Sequence, residues 1–159
     1  MQVTRAVDYG LRALVIMSRK PLGARFFLQE LADEGQLPRN YLVKVLKSMA
    51  NVGIVQSHRG IKGGFTLAKE PQQITLRQVI ESIDGPVTVM HCLAEPHACA
   101  HSGHCAVEVY FQQLRAQILM DMETKTLKEI VDMQCQMDKA KTCPAPCPTE
   151  KSLAGSATA

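Results

Sequence analysis

The apolar positions change period along the chain, and each change marks a new element. From Thr4 they fall at helical spacing, with Val7, Leu11, Leu14 and Ser18 as the inward stripe and Ala6, Ala13 and Met17 widening it. Thr4 suits the cap of this helix. Lys20-Pro21-Leu22-Gly23 ends it, since proline and glycine break the pattern. A short second helix is predicted from Leu28 to Glu34, stopped by Gly35. A third opens at Pro38, whose fixed φ suits a first helical position. Its Leu42, Val45, Leu46 and Met49 follow the i, i+3, i+4, i+7 spacing of one buried face, and it stops near Gly53. The period then drops to two. Ile54 to His58 and Phe65 to Ala68 read as strands around the glycine-rich tip Arg59-Gly60-Ile61-Lys62-Gly63-Gly64.

After Pro71 the helical period returns. Thr75-Leu76-Arg77-Gln78 is a capping box opening a helix that ends at Asp84-Gly85. Val107, Phe111, Leu114, Ile118 and Met122 keep one stripe over about four turns. Thr126-Leu127-Lys128-Glu129 is a second capping box, opening a last short helix to about Met133. From Gln134 the sequence turns polar and then rich in proline and small residues, so 134–159 reads as a disordered tail.

The expected fold is mainly α with a small β-hairpin wing. Helix, short helix, helix and hairpin over 1–70 is the order of a winged helix-turn-helix. Residues 71–133 would follow it as the segment carrying the long helix. That stripe either packs on its own chain or pairs with its twin. A winged module of about seventy residues is already compact, and operators are commonly two-fold, so a dimerisation helix is the favoured reading.

Charge sharpens this picture. Hydrophobic residues make up 46% and charged residues 21%, ordinary for a globular protein, and a net charge of +3 identifies no partner. Its distribution says more. From Gly35 to Lys69 there is no Asp or Glu, while Arg39, Lys44, Lys47, Arg59, Lys62 and Lys69 all lie there. A single-sign stretch of that length is the electrostatic footprint expected of a nucleic-acid-binding face, and on a winged helix-turn-helix the expected partner is a double-stranded DNA operator. No apolar run is long enough for a membrane helix, and the opening MQVTRAVDYG has no apolar leader core, so a cytoplasmic protein is expected.

The candidate chemistry lies in His91 to Glu108, HCLAEPHACAHSGHCAVE. Cys92, Cys99 and Cys105 are spaced C-x6-C-x5-C, and His91, His97, His101 and His104 crowd the same segment. Thiolates select iron–sulfur clusters, zinc or copper(I). Structural cysteines seldom arrive with four histidines in one short loop, and disulfides are disfavoured where thiols are kept reduced. An enzyme is not expected: there is no nucleotide loop, no Ser-His-Asp set and no paired-carboxylate site. Cys135, Cys143 and Cys147 read as exposed tail thiols; a second thiol site at Cys143 and Cys147 is the alternative.

Four features in order resemble the Rrf2 family of bacterial winged-helix regulators. These are T-x-x-x-D-Y-x-L-x-A-L from Thr4 to Leu14, P-x-x-Y-L from Pro38 to Leu42, R-G-x-x-G-G-F from Arg59 to Phe65, and the three-cysteine loop. The resemblance runs from Met1 to about Met133. It implies a homodimeric transcription regulator, most often a repressor, that holds a [2Fe-2S] or [4Fe-4S] cluster and senses iron–sulfur status, redox or nitric oxide. Cys92, Cys99 and Cys105 match the family's cysteine ligands, with one residue more before Cys99 than many members have. Some members take a histidine three residues beyond the last cysteine as fourth ligand, but Glu108 stands there. Others recruit an aspartate from the partner's first helix, matched here by Asp8; His101 and His104 are nearby alternatives. Base reading would fall to Asn40, Val43 and Lys44 beside Arg39 and Tyr41, with Arg59 in the minor groove and Lys62 and Lys47 on phosphate. The competing function is a zinc-binding or thiol-redox regulator without a cluster.

Overall fold

A computed structural model describes residues 3–60, 63–94, 101 and 103–140. The helices are α1 (Arg5–Met17), α2 (Leu28–Gly35), α3 (Arg39–Asn51), α4 (Leu76–Asp84), α5 (His91–Ala94), α6 (Ala106–Thr124) and α7 (Leu127–Ala140). Strands β1 (Val55–His58) and β2 (Gly64–Leu67) lie between α3 and α4, and a single 3-10 turn at Pro71–Gln73 precedes α4.

The apolar stripe of α1 makes it the central element: it touches α2, α3, α4, α7 and β2. Leu14 and Met17 meet Leu31 of α2, Leu42, Leu46 and Met49 of α3, and Ile74 and Val79 around α4 in one buried cluster. Leu127 and Val131 of α7 join the same cluster. Each fully buried leucine of this kind contributes about 1.5–3 kcal/mol. A smaller cluster of Val7, Ile80 and Val87 receives Ile118, Leu119 and Met122 of α6.

The strands pair antiparallel, with Val55 opposite Leu67 and His58 opposite Gly64. Phe26 adds a bridge on the other edge of β2: each of Phe26 and Phe65 donates its N–H to the other's carbonyl at 2.9 Å. Gly64 makes this possible. Its φ is +154°, and a Cβ there would lie 2.6 Å from the Phe26 carbonyl oxygen. Gly64→Ala should therefore cost about 1–3 kcal/mol, from the strained backbone and the lost pairing. Thermal unfolding checks this; an unchanged midpoint would mean that the Phe26 bridge does not hold the wing.

Three expectations are corrected by the fold. Thr4 is the N-cap of α1 but makes no side-chain cap. Its hydroxyl instead donates to Asp84 Oδ1 at 2.6 Å, tying the start of α1 to the end of α4. The last helix does not end near Met133 but runs to Ala140, so 134–140 is helix and not tail. Side-chain pairs one turn apart carry it on: Lys128 with Asp132, then Gln134 with Asp138, whose carboxylate also meets Arg19 in the turn after α1. Cys135 is thus no exposed tail thiol. It packs half-buried against the main cluster and is disulfide-bonded. Both capping boxes form, at Thr75 with Gln78 and at Thr126 with Glu129. In the second, a hydrogen bond from Lys125 and one from the Thr126 backbone hold the Glu129 carboxylate below its ordinary range.

The stripe on α6 divides. Ile118 and Met122 pack on the chain's own smaller cluster, yet no residue of this nineteen-residue helix is fully buried. Tyr110 and Met120 remain 62% and 67% exposed, beside Val107 and Val109. Among the described residues no helix is long and apolar enough to cross a membrane.

Candidate nucleic-acid interface and thiolate loop

The buried set Leu42, Val45, Leu46 and Met49 fixes the rotation of α3, and so fixes what it shows to solvent. Arg39, Asn40, Tyr41, Lys44 and Lys47 are exposed, and Val43 is half-buried beside them. Gln36 ends α2 in the left-handed region, at φ 51°, and this short turn sets α2 against α3 as in a helix-turn-helix. Arg59 and Gly60 project at the exposed hairpin tip. Gly60 takes φ +98°, and Gly63 leaves no room for a side chain: a Cβ would sit 2.7 Å from the His58 carbonyl oxygen. Below the tip, His58 Nε2 and Thr66 Oγ1 share a hydrogen bond of 3.1 Å across the strands. Lys62 lies outside the described residues.

The first turn of α1 lies against the recognition face. The rings of Tyr9 and Tyr41 meet edge-on with centroids 6.4 Å apart. Asp8, the neighbour of Tyr9, accepts a hydrogen bond from Arg12 Nε at 2.9 Å, in a pair whose side chains are both about half exposed. An acidic residue here also faces the positive end of the helix.

The thiolate loop is held by α5 and α6, which contact each other. Cys92 on α5 and Cys105 at the N-cap of α6 are both free thiols and half-buried. Arg115 of α6 donates to the Val87 carbonyl at 2.8 Å and fixes the strand of chain leading into α5. Cys99 and His97 lie outside the described residues. His101 and His104 are exposed, with the His104 N–H bonded to the His101 carbonyl at 3.2 Å. Glu108 turns back to the loop and accepts the Gly103 N–H at 2.9 Å. Among the described residues no group of three or more His, Cys, Asp or Glu is gathered for a metal. Two free thiols on adjoining elements are the donor type that soft metal centres take.

Three of these contacts go beyond the sequence reading, and only one of them had a local signal. The Asp8–Arg12 pair was legible, because i and i+4 face each other on a helix. The Tyr9–Tyr41 contact depends on how α1 crosses α3, which no local pattern states. The turn of Glu108 toward Gly103 depends on the loop's return path.

Comparison with known proteins bears on the fold and the family. The Rrf2 family, described as iron-dependent transcriptional regulators, matches residues 3–133. The transcriptional regulator NsrR of Shouchella clausii is 27% identical over 132 residues, covering 82% of this chain and 89% of that protein. The structure of IscR from T. potens superposes with a TM-score of 0.65 at 20% identity, covering 91% of this chain and 94% of that one. CymR, the global cysteine regulator of B. subtilis, superposes at 0.63 with 24% identity, covering 84% and 98%. The chain therefore belongs to the Rrf2 family and is a DNA-binding transcriptional regulator.

Proposed function

We propose that this regulator is a cytoplasmic homodimeric repressor that reads a two-fold operator and senses iron–sulfur status, redox or nitric oxide through an iron–sulfur cluster. Cys92, Cys99 and Cys105 would hold the cluster, with Asp8 of the partner subunit as the fourth donor. The observation that carries this reading is the pair of free, half-buried thiols on adjoining α5 and α6. The cluster supplies a thiolate-held centre that oxygen, nitric oxide or iron shortage can remove. The chain supplies the response. The turn bearing Asp8 also bears Tyr9, and Tyr9 touches Tyr41 on α3, so what engages Asp8 bears on the reading head. Dimerisation through α6 is supported by its length and its exposed Val107, Val109, Tyr110 and Met120, since a helix apolar on several sides is rarely left in water. The domain division that follows is a winged DNA-binding module over 1–70 and a cluster-binding and dimerisation segment over 71–133.

Spectra of anaerobically purified protein, with iron and sulfide analysis before and after oxygen or nitric oxide, test the reading. Visible absorption that bleaches together with loss of operator affinity supports it; colourless protein at full occupancy with zinc overturns it. The second reading, a zinc or thiol-redox regulator, draws on the disulfide at Cys135 and on the likeness to a cysteine regulator.

On the DNA side, Arg39, Asn40, Tyr41 and Lys44 would meet the major groove, Arg59 the minor groove and Lys62 a phosphate. Asn40→Ala should lose about 1–3 kcal/mol of discrimination at one base pair, since asparagine binds adenine bidentately. Lys62→Ala should weaken binding to every sequence and flatten the salt slope by about one. Titrations against operator and scrambled duplexes at several salt concentrations separate the two. Equal weakening of both duplexes by Asn40→Ala would remove Asn40 from the base-reading set.

A further inference from the structure

Glu108 occupies the position from which some family members supply a histidine ligand, and here its carboxylate is committed elsewhere. It sits in the first turn of α6, three residues after the N-cap Cys105, which has no side-chain cap of its own. Glu108 Oε2 accepts the Gly103 N–H at 2.9 Å, and Oε1 accepts Gln112 Nε2 at 3.3 Å from the next turn. The carboxylate thus reaches over Cys105 and joins the loop before it to the helix after it. Gly103 is held at φ +87°, a conformation open to glycine and strained for other residues, and the adjacent His101–His104 turn closes on the same side. The hydrogen bonds of His101 with His104 and of Gly103 with Glu108 thus flank Cys105 on both sides. A negative group in the first turn of a helix is also favoured by the helix dipole, so the brace costs no unpaired charge.

We propose that Glu108 is a positioning residue for the cluster loop: it fixes the Cys105 sulfur for ligation and is not itself a ligand. The proposal rests on the cluster reading above. It also predicts a property of the cluster-free protein, so the two can fail separately.

The test uses the full chain with Glu108→Ala and Glu108→Gln. In cluster-free protein, the Gly103 amide should exchange its hydrogen about tenfold faster in Glu108→Ala, the effect of losing one charge-assisted hydrogen bond. Glu108→Gln keeps an acceptor oxygen and should stay within about threefold of the parent. In cluster-loaded protein, Glu108→Ala should lose its visible absorption in air about tenfold faster, while absorption maxima and electron paramagnetic resonance signals stay at the parent positions. Glu108→Gln should behave nearly as the parent. Unchanged Gly103 exchange in Glu108→Ala would overturn the brace. Unchanged cluster lifetime in Glu108→Ala would overturn the positioning role. Shifted spectra in Glu108→Gln would identify Glu108 as a ligand and also overturn it. Protein that takes up no iron overturns the cluster reading and the positioning role together, while the exchange result still decides whether the brace exists.

Discussion

Replacing Cys105 by alanine is expected to reduce bound iron to background and to abolish visible absorption while leaving a folded protein. The same outcome is expected for Cys92 and Cys99. Three thiolates would supply most of the ligation, and an iron–sulfur centre that loses one of them has no comparable soft donor within the loop. The fold has little at stake. Neither Cys92 nor Cys105 belongs to a core cluster, and both are only half-buried. Alanine at such sites should therefore cost no more than about 1 kcal/mol. Iron analysis, circular dichroism and sizing of each variant decide the matter. Wild-type iron in all three variants would refute the ligand set, and loss of helical signal would mean that the loop is structural instead.

The second large effect concerns Asp8. Its partner Arg12 holds it in an exposed i, i+4 pair, and such pairs contribute about 0–1 kcal/mol. Leaving Arg12 to meet a metal centre on the partner subunit is therefore energetically easy. A carboxylate binds iron less strongly than a thiolate, which makes it the donor most readily displaced. Asp8→Ala should keep its cluster, with altered spectra and faster loss in air. Operator affinity should fall toward that of the cluster-free protein even while the cluster is present, because the Tyr9–Tyr41 contact no longer reports ligation to α3. Mixed dimers test the crossing over of subunits. One subunit carries Asp8→Ala and the other Cys92→Ala with Cys99→Ala. If Asp8 serves its partner, the surviving site keeps every ligand and the parent spectrum. An altered spectrum at that site would place the aspartate within its own chain and sink this mechanism.

How far the sequence alone reached depended on the range of the interaction. The one-sided stripe of α3 announces both its buried face and, by subtraction, the exposed Asn40, Lys44 and Lys47. Capping boxes at Thr75 and Thr126 are legible because donor and acceptor lie three residues apart. Thr4 reads as a simple cap residue, yet its hydroxyl bonds Asp84, eighty positions away, and a distant acceptor leaves no local trace. The end of α7 was misjudged for a related reason. Its last turns are sustained by polar pairs and by Arg19 rather than by an apolar stripe, so a hydrophobicity reading stops too early. The brace at Glu108 and the meeting of Tyr9 with Tyr41 arise only once loops and crossings are in place.

The burial of Leu127 and Val131 beside Leu14 and Met17 also bears on how the protein is made. The first helix leaves the ribosome more than a hundred residues before the side chains that cover its far end. At about 5–20 residues per second, α1 waits roughly ten seconds for them. During synthesis the nascent reading head is therefore an unfinished, sticky surface, and only the arrival of α7 seals it.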